Sequence, residues 1–241
     1  MNRAITLVLI VAIAATGGFF VQRALNGRNS VTPATEPATV RTDAPGQVGQ
    51  QAPVPTVPET LPDVTLPDRN GTPRSLTSWK GQPLIINFWA TWCGPCREEI
   101  PLLNTLRKER AADKLEVIGI AVDEQQAVVK FAKEFGIQYP VLMGEQEGYE
   151  AAERFGVASL VLPFSVFADS QGRIVTLKVG ELHPDQAAAI LDRVRDVDAN
   201  RLSLADARRQ IADKLRDLAA DPSRDHDESG DGGHEHSGAG S

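Results

Sequence analysis

Phe88-Trp89-Ala90-Thr91-Trp92-Cys93-Gly94-Pro95-Cys96-Arg97-Glu98-Glu99-Ile100-Pro101 contains the only two cysteines of this 241-residue chain. A hydrophobic run, Pro83 to Ala90, leads directly into it and reads as a strand buried on both faces. The cysteines fall where that strand ends and a helix should begin, so Cys93-Gly94-Pro95-Cys96 reads as a thiol–disulfide redox centre. A helix N-terminus stabilises negative charge, and the useful negative charge here is a thiolate. A permanent structural staple is the bland alternative. A loop this short contributes little chain-entropy stabilisation, and the flanking Trp89 and Trp92 would add nothing to a staple.

Outward from this segment, the bulk properties set limits. A hydrophobic content of 41% and a charged content of 24% are ordinary for a globular protein. The net charge of −7 argues against broad nucleic-acid binding. Much of it sits in the tail, where Asp221, Asp225, Asp227, Glu228, Asp231 and Glu235 oppose only Arg224. Ala4 to Val21 is an apolar run followed by Gln22 and Arg23. Its length favours a signal anchor over residues 1–23, with a cleaved signal peptide or a buried helix as alternatives. Either export reading places the cysteines outside the cytosol, where disulfides persist.

Residues 24–61 read as a Pro-rich extended linker, with Pro33, Pro37, Pro45, Pro53, Pro55 and Pro58 and few large apolar side chains. A globular domain is expected over 62–198. Val64 to Leu66 and Arg74 to Leu76 read as a small hairpin. Leu84 to Trp89, Leu115 to Val122 and Tyr139 to Met143 read as strands, and Phe164 to Ala168 with Arg173 to Val179 as a terminal hairpin. Helices are expected over Cys93–Ala112, Gln126–Phe135, Tyr149–Phe155 and Pro184–Val197, with Pro184 in a first turn where its missing N–H costs nothing. Alternating strands and helices imply an α/β fold of three layers around a mixed central sheet. Residues 199–220 contain an amphipathic helix expected to pack weakly on the domain or on another copy, and 221–241 form an acidic, His-bearing tail expected to be disordered.

The segment quoted first resembles the active site of thioredoxin-fold proteins, and more narrowly the membrane-anchored, extracytoplasmic TlpA/ResA/CcmG-like branch. Pro101 is similar to the proline inside the active-site helix of thioredoxins. The segment Asp123 to Phe155 is similar to the helix–strand insertion of this branch, and Leu162-Pro163-Phe164-Ser165-Val166-Phe167 to its cis-proline segment. The resemblance implies that Pro163 lies beside the cysteines and that the backbone of Leu162 pairs with extended substrate. Trp92, Gly94, Pro95, Leu162 and Pro163 are the substrate-binding candidates. Phe164 and Ser165 stand where two threonines are common, which implies a bulkier substrate-facing surface. Where a thioredoxin has a buried aspartate, this chain has Asn87, which cannot take a proton. Glu99 is the replacement candidate, against the alternative that Glu98 and Glu99 are ordinary first-turn acids; Glu98 is expected to face solvent.

The catalytic residues implied are Cys93 as nucleophile, Cys96 as resolving thiol and Glu99 as base, with the dithiol itself as redox centre and neither cofactor nor metal. The Gly-Pro dipeptide resembles that of reducing thioredoxins. The resemblance implies protein disulfides as substrates, apocytochrome c among the candidates. It also implies a DsbD/CcdA-like transmembrane electron donor and a periplasm-facing site anchored to the inner membrane. A Sco-like copper chaperone is the competing binding class, but it needs a wider cysteine spacing and a placed histidine. His183 reads instead as the residue that starts a helix. A peroxiredoxin would set its cysteine in a different context. His226, His234 and His236 lie among tail acids and glycines, which reads as a solvated low-complexity segment rather than a metal site. Trp79 is expected to plug the core before the first central strand.

Overall fold

A computed structural model describes residues 56–221. The expected anchor, most of the linker and the acidic tail lie outside the described residues. Within them, no helix is long and apolar enough to cross a membrane.

The organising element is the strand that ends at the cysteine segment. Strands β1 (Thr65–Pro67) and β2 (Pro73–Ser75) form a hairpin, followed by a 3₁₀ turn (Leu76–Trp79) and β3 (Leu84–Trp89). Helix α1 (Gly94–Glu109) carries the second cysteine, and β4 (Glu116–Ala121) follows it. Helix α2 (Gln125–Glu134), β5 (Val141–Met143) and α3 (Gln146–Arg154) follow. Then come β6 (Phe164–Ala168), β7 (Ile174–Val179), α4 (Pro184–Asp198) and α5 (Leu204–Ala219). The five-stranded sheet has the order β5-β4-β3-β6-β7. Strands β3, β4 and β5 run parallel, while β6 is antiparallel to β3 and β7 to β6.

All six residues of β3 are buried, five of them apolar and Asn87 the exception, as expected of a strand covered on both faces. Alternation divides them between two cores. Ile85 and Trp89 join Cys96, Ile100 and Leu103 of α1, Phe131 of α2 and Ile190 and Val194 of α4. Leu84, Ile86 and Phe88 join Leu66, Leu76, Trp79, Phe155 and Phe164 on the other face. Trp79 thus fills the second core as expected, with the Arg74 guanidinium 4.8 Å from its ring centroid.

Two boundaries differ from the sequence reading, and the structure shows where the last helix sits. The chain joins the fold at Thr60, which bridges to Arg173, and Leu61 is buried, so the domain takes in residues before Pro62. Helix α3 begins three residues before Tyr149, because Glu147 and its neighbours extend the first turn although only small residues, Gly148, Ala151 and Ala152, are buried. Helix α5 is seated on its own domain through Ala207 and Ile211, and Arg208 donates to the Ile174 carbonyl of edge strand β7 and to Glu59. This is the first of the two placements expected for it, packing on the domain.

Candidate active site

The redox pair sits where β3 gives way to α1. Cys93 is the N-cap, with extended backbone (φ −83°, ψ 112°), and its sulfur accepts the Cys96 N–H at 3.3 Å. Gly94 and Pro95 open the helix, and Pro95 supplies a helical φ without sacrificing an intrahelical donor. The two sulfurs form a disulfide, so this is the oxidised state. Cys93 is 6% exposed and Cys96 only 1%, which leaves Cys93 as the sulfur an incoming partner reaches first. Trp92, Gly94 and Pro95 are exposed around it. Pro101 lies inside α1, where its ring denies the Arg97 carbonyl a helical hydrogen bond.

The loop before Cys93 is tied down by contacts that the sequence reading did not single out. Asp123, just after β4, accepts the Thr91 backbone N–H at 3.0 Å and the Thr91 hydroxyl at 2.5 Å. Arg97 donates to the Thr91 carbonyl at 2.8 Å while its guanidinium lies over the rings of Phe131 and Phe135. Trp92, 67% exposed, forms one wall of an open groove completed by Val122, Asp123, Glu145, Gln146 and Tyr149.

The Leu162–Pro163 peptide bond is cis. Phe88 pairs with Phe164, so Pro163 is placed at the sheet end from which the Ala90–Cys93 loop departs. The Pro163 carbonyl accepts the Gly180 N–H at 2.8 Å. Leu162 is partly buried against the core cluster that includes Cys93 and Cys96. Phe164 and Ser165, expected on the substrate-facing surface, are instead 0% and 1% exposed. They are the first residues of a central strand, and its pairing with both β3 and β7 turns them into the two cores.

Glu99 is 1% exposed, one turn beyond Cys96 on the same buried helix face, whereas Glu98 faces solvent. Its Oε1 accepts from Asn87 Nδ2 at 2.6 Å and its Oε2 accepts the Leu182 N–H at 3.0 Å. Asn87 Nδ2 also donates to Ser165 Oγ at 3.1 Å. Burial pushes the Glu99 carboxyl up to about 7; the Asn87 and Leu182 donors pull against that shift, Glu181 reinforces it and Lys178 opposes it. The Tyr139 phenol lies in the same layer and is pushed far up, mainly by burial and then by Glu99. Tyr139 Oη and Trp89 Nε1 are buried without a hydrogen-bond partner among the described residues. Those residues also contain no cluster of three His, Cys, Asp or Glu able to hold a metal, and His183 is the N-cap of α4.

A mixed sheet flanked by helices, a Cys-x-x-Cys disulfide at a helix start and a cis-proline at the same sheet end together define a thioredoxin-fold thiol–disulfide oxidoreductase. The chain matches the Redoxin family over residues 56–194 and belongs to that family. It is 29% identical over 140 residues to the thiol-disulfide oxidoreductase ResA of Geobacillus thermodenitrificans (strain NG80-2), covering 58% of this chain and 78% of that one. It is 34% identical over 150 residues to the thioredoxin-like protein YneN of Bacillus subtilis (strain 168), covering 61% and 79%. Among solved structures it resembles a thiol:disulfide interchange protein DsbE from Chlorobium tepidum, with 26% identity and a TM-score of 0.50. The match spans 56% of this chain and 92% of that one. A secreted thiol-disulfide isomerase from Corynebacterium glutamicum gives 26% identity and a TM-score of 0.52, over 56% and 85%. The enzyme is therefore a protein thiol–disulfide oxidoreductase, and the family resemblance of its active-site segment holds.

Proposed function

We propose that the enzyme reduces protein disulfides outside the cytosol, with Cys93 as nucleophile, Cys96 as resolving thiol and Glu99 as the group that takes the Cys96 proton. The observation that carries this reading is the Cys93–Cys96 disulfide at the start of α1, with the carboxyl of Glu99 buried one helical turn from Cys96. In the reduced enzyme, the Cys93 thiolate attacks one sulfur of a substrate disulfide and expels the other as a thiolate. Cys96 then loses its proton to Glu99 and attacks Cys93 Sγ. The mixed disulfide breaks, the substrate leaves with both electrons as a dithiol, and the enzyme reaches the disulfide state described above. A base with an affinity near 7 is matched to this task at neutral pH, because it is substantially ionised yet still holds a proton.

Trp92, Gly94 and Pro95 on one side and Leu162 and Pro163 on the other would grip the extended chain around its cysteine. Apocytochrome c, with a vicinal cysteine pair, fits the reductive direction, and a DsbD/CcdA-like membrane protein would return electrons to Cys93. The extracytoplasmic assignment draws on the secreted isomerase among the structural relatives and on the apolar run Ala4 to Val21. Retained as an anchor, that run would hold the domain at the inner membrane facing the periplasm.

Cys96→Ser removes the resolving thiol, so the variant should accumulate mixed disulfides with its substrates in the cell envelope. Diagonal electrophoresis and mass spectrometry of the trapped adducts would identify them. Alkylation of the reduced wild-type protein at graded pH should find Cys93 reacting well below pH 8, toward the range of about 3.5 to 7.5 for helix-start thiols. An unreactive Cys93 together with an absence of trapped adducts would overturn the proposal.

A further inference from the structure

The base candidate is held by a polar clamp that spans the centre of the sheet. Asn87 is a central residue of β3, and the antiparallel register sets Ser165 of β6 directly opposite it. On its other side the parallel register places Gly119 of β4, which has no side chain to compete for the same space. Asn87, Ser165 and Glu99 are each 1% exposed. Water does not satisfy such groups from outside, so their hydrogen bonds to one another decide their protonation and orientation.

The amide of Asn87 has two N–H donors. One reaches Glu99 Oε1 and the other Ser165 Oγ. With the Leu182 N–H on Oε2, each carboxylate oxygen has its own fixed donor, one from the sheet and one from the loop before α4. Two donors to one carboxyl favour its charged form, against the burial that disfavours it. An aspartate in place of Asn87 would reverse the effect, because two carboxylates at this separation share a proton rather than ionise together. An apolar residue would leave Glu99 buried with one donor only.

We propose that Asn87, engaged by Ser165, is the positioning residue that holds the Glu99 carboxylate in an ionisable state one turn from Cys96 and thereby sets the pH at which the second thiol is deprotonated. The proposal rests on the reading of Glu99 as the Cys96 proton acceptor. The charged and titratable groups facing Glu99 are Lys178 at the end of β7, Glu181 in the loop before α4, and Tyr139 before β5. None of them belongs to the clamp, so substitutions at Asn87 and Ser165 change donors without changing these charges.

The test is the rate of the second, resolving step as a function of pH. A chromogenic aromatic disulfide reports it, because its two thiolates are released separately, first on attack by Cys93 and then on resolution by Cys96. Loss of a hydrogen bond to a charged group corresponds to about one to two pKa units. Asn87→Ala should therefore move the midpoint of the resolving step upward by about that amount, slowing it about tenfold to hundredfold at neutral pH and restoring it in alkali. Ser165→Ala should move it the same way by less, and it keeps the test open if Asn87→Ala folds poorly. Infrared titration of the Glu99 carboxyl in both variants should give the same upward displacement.

In a Glu99→Gln background, Asn87→Ala should have no further effect on the midpoint. An Asn87→Ala variant slowed equally at every pH, or slowed equally with and without Glu99, would make Asn87 structural and overturn the clamp. A Glu99→Gln enzyme with an unaltered pH profile would instead remove the base reading itself, whatever Asn87 does.

Discussion

The two faces of β3 are equally buried and built on opposite principles. On one, Leu84, Ile86 and Phe88 pack into an apolar cluster, with Phe88 stacked on Phe164 at 4.2 Å and edge-on to Phe155 at 5.6 Å. On the other, Asn87 lies between Ile85 and Trp89 and brings Glu99 and Ser165 into the core beneath the active-site helix. The apolar face gains by dispersion and exclusion of water. The polar face accepts a desolvation cost and offsets part of it with hydrogen bonds. What it gains is a carboxyl held out of solvent one helical turn from the buried sulfur of Cys96. One strand can do both because side-chain direction alternates while the backbone ladder stays the same.

The largest expected effect belongs to Cys93, at the edge of the core beneath α1. Cys93→Ser should abolish disulfide reduction, measured by insulin reduction against a dithiol donor, because the remaining thiol, Cys96, is only 1% exposed and out of a substrate's reach. Its thermal unfolding should remain cooperative, since the two cores do not depend on a link that closes so short a loop. Phe88→Ala, on the apolar face, should do the reverse. It empties a site with no exposure and should cost about 3–5 kcal/mol in denaturant unfolding. The pH profile of the surviving enzyme should be unchanged, and a shifted profile would mean that the two faces are not separable in function.

On the polar face the expected effect depends on pH. The Glu99 carboxyl rises from an ordinary 4.5 to about 7 on folding. Between those values the folded state holds a proton that the unfolded state has lost, so stability falls as pH rises through this window. Below it there is no cost, and above it the cost is full, on the order of 3 kcal/mol. Glu99→Gln cannot ionise and should lack this component. Urea unfolding of both proteins at pH 5 and pH 8 gives the comparison directly. Parallel losses in the two proteins would show that Glu99 is not the group responsible.

The difference between the faces also explains what could be read in advance. The existence and extent of β3 and β6 were legible because each is a short, largely apolar run rich in β-branched and aromatic residues, too short for a helix. The cysteine pair followed from its motif, while the cis-proline and the candidacy of Glu99 followed only from the family resemblance of their segments. Ser165 was misplaced onto the surface because a position in a sequence says nothing about which face of a paired strand a residue takes until the register is known. Asn87 was legible only for what it lacked, a titratable proton. Its use as a donor depends on Glu99, twelve residues later, and on Ser165, 78 residues later. Asp123 and Thr91 left no signal at all, since a turn acid and a threonine are common wherever chains bend. The start of α3 was missed because its buried positions are small residues and the apolar stripe begins late.

A smaller effect is expected where the polar face is most tightly filled. A Cβ added at Gly119 would come within 2.7 Å of Trp89 Nε1 and 3.1 Å of the Tyr139 ring. These large rings fill the space that would otherwise adjoin Asn87, so the glycine is there for room rather than for backbone freedom. Gly119→Ala should cost about 1–3 kcal/mol through overpacking. Calorimetry would measure it, and a neutral substitution would mean that the two rings have slack.

The smallest effect should come from the rim contact that resembles the buried clamp in chemistry but not in setting. Thr91 and Asp123 pair a hydroxyl and an N–H with one carboxylate, as Asn87 and Leu182 do with Glu99, but at a part-buried site. Solvent can replace what is lost there, so Thr91→Val should cost only about 1 kcal/mol, near the mean for a net hydrogen bond. The backbone N–H bond to Asp123 survives the change and keeps the loop close to its place. Attack by Cys93 should slow by a few-fold, read from the first thiolate release, while the pH midpoint of resolution stays where it was. If Thr91→Val moved that midpoint, the loop and the clamp would form one network, and the contrast between a solvated rim and a dry interior would be wrong.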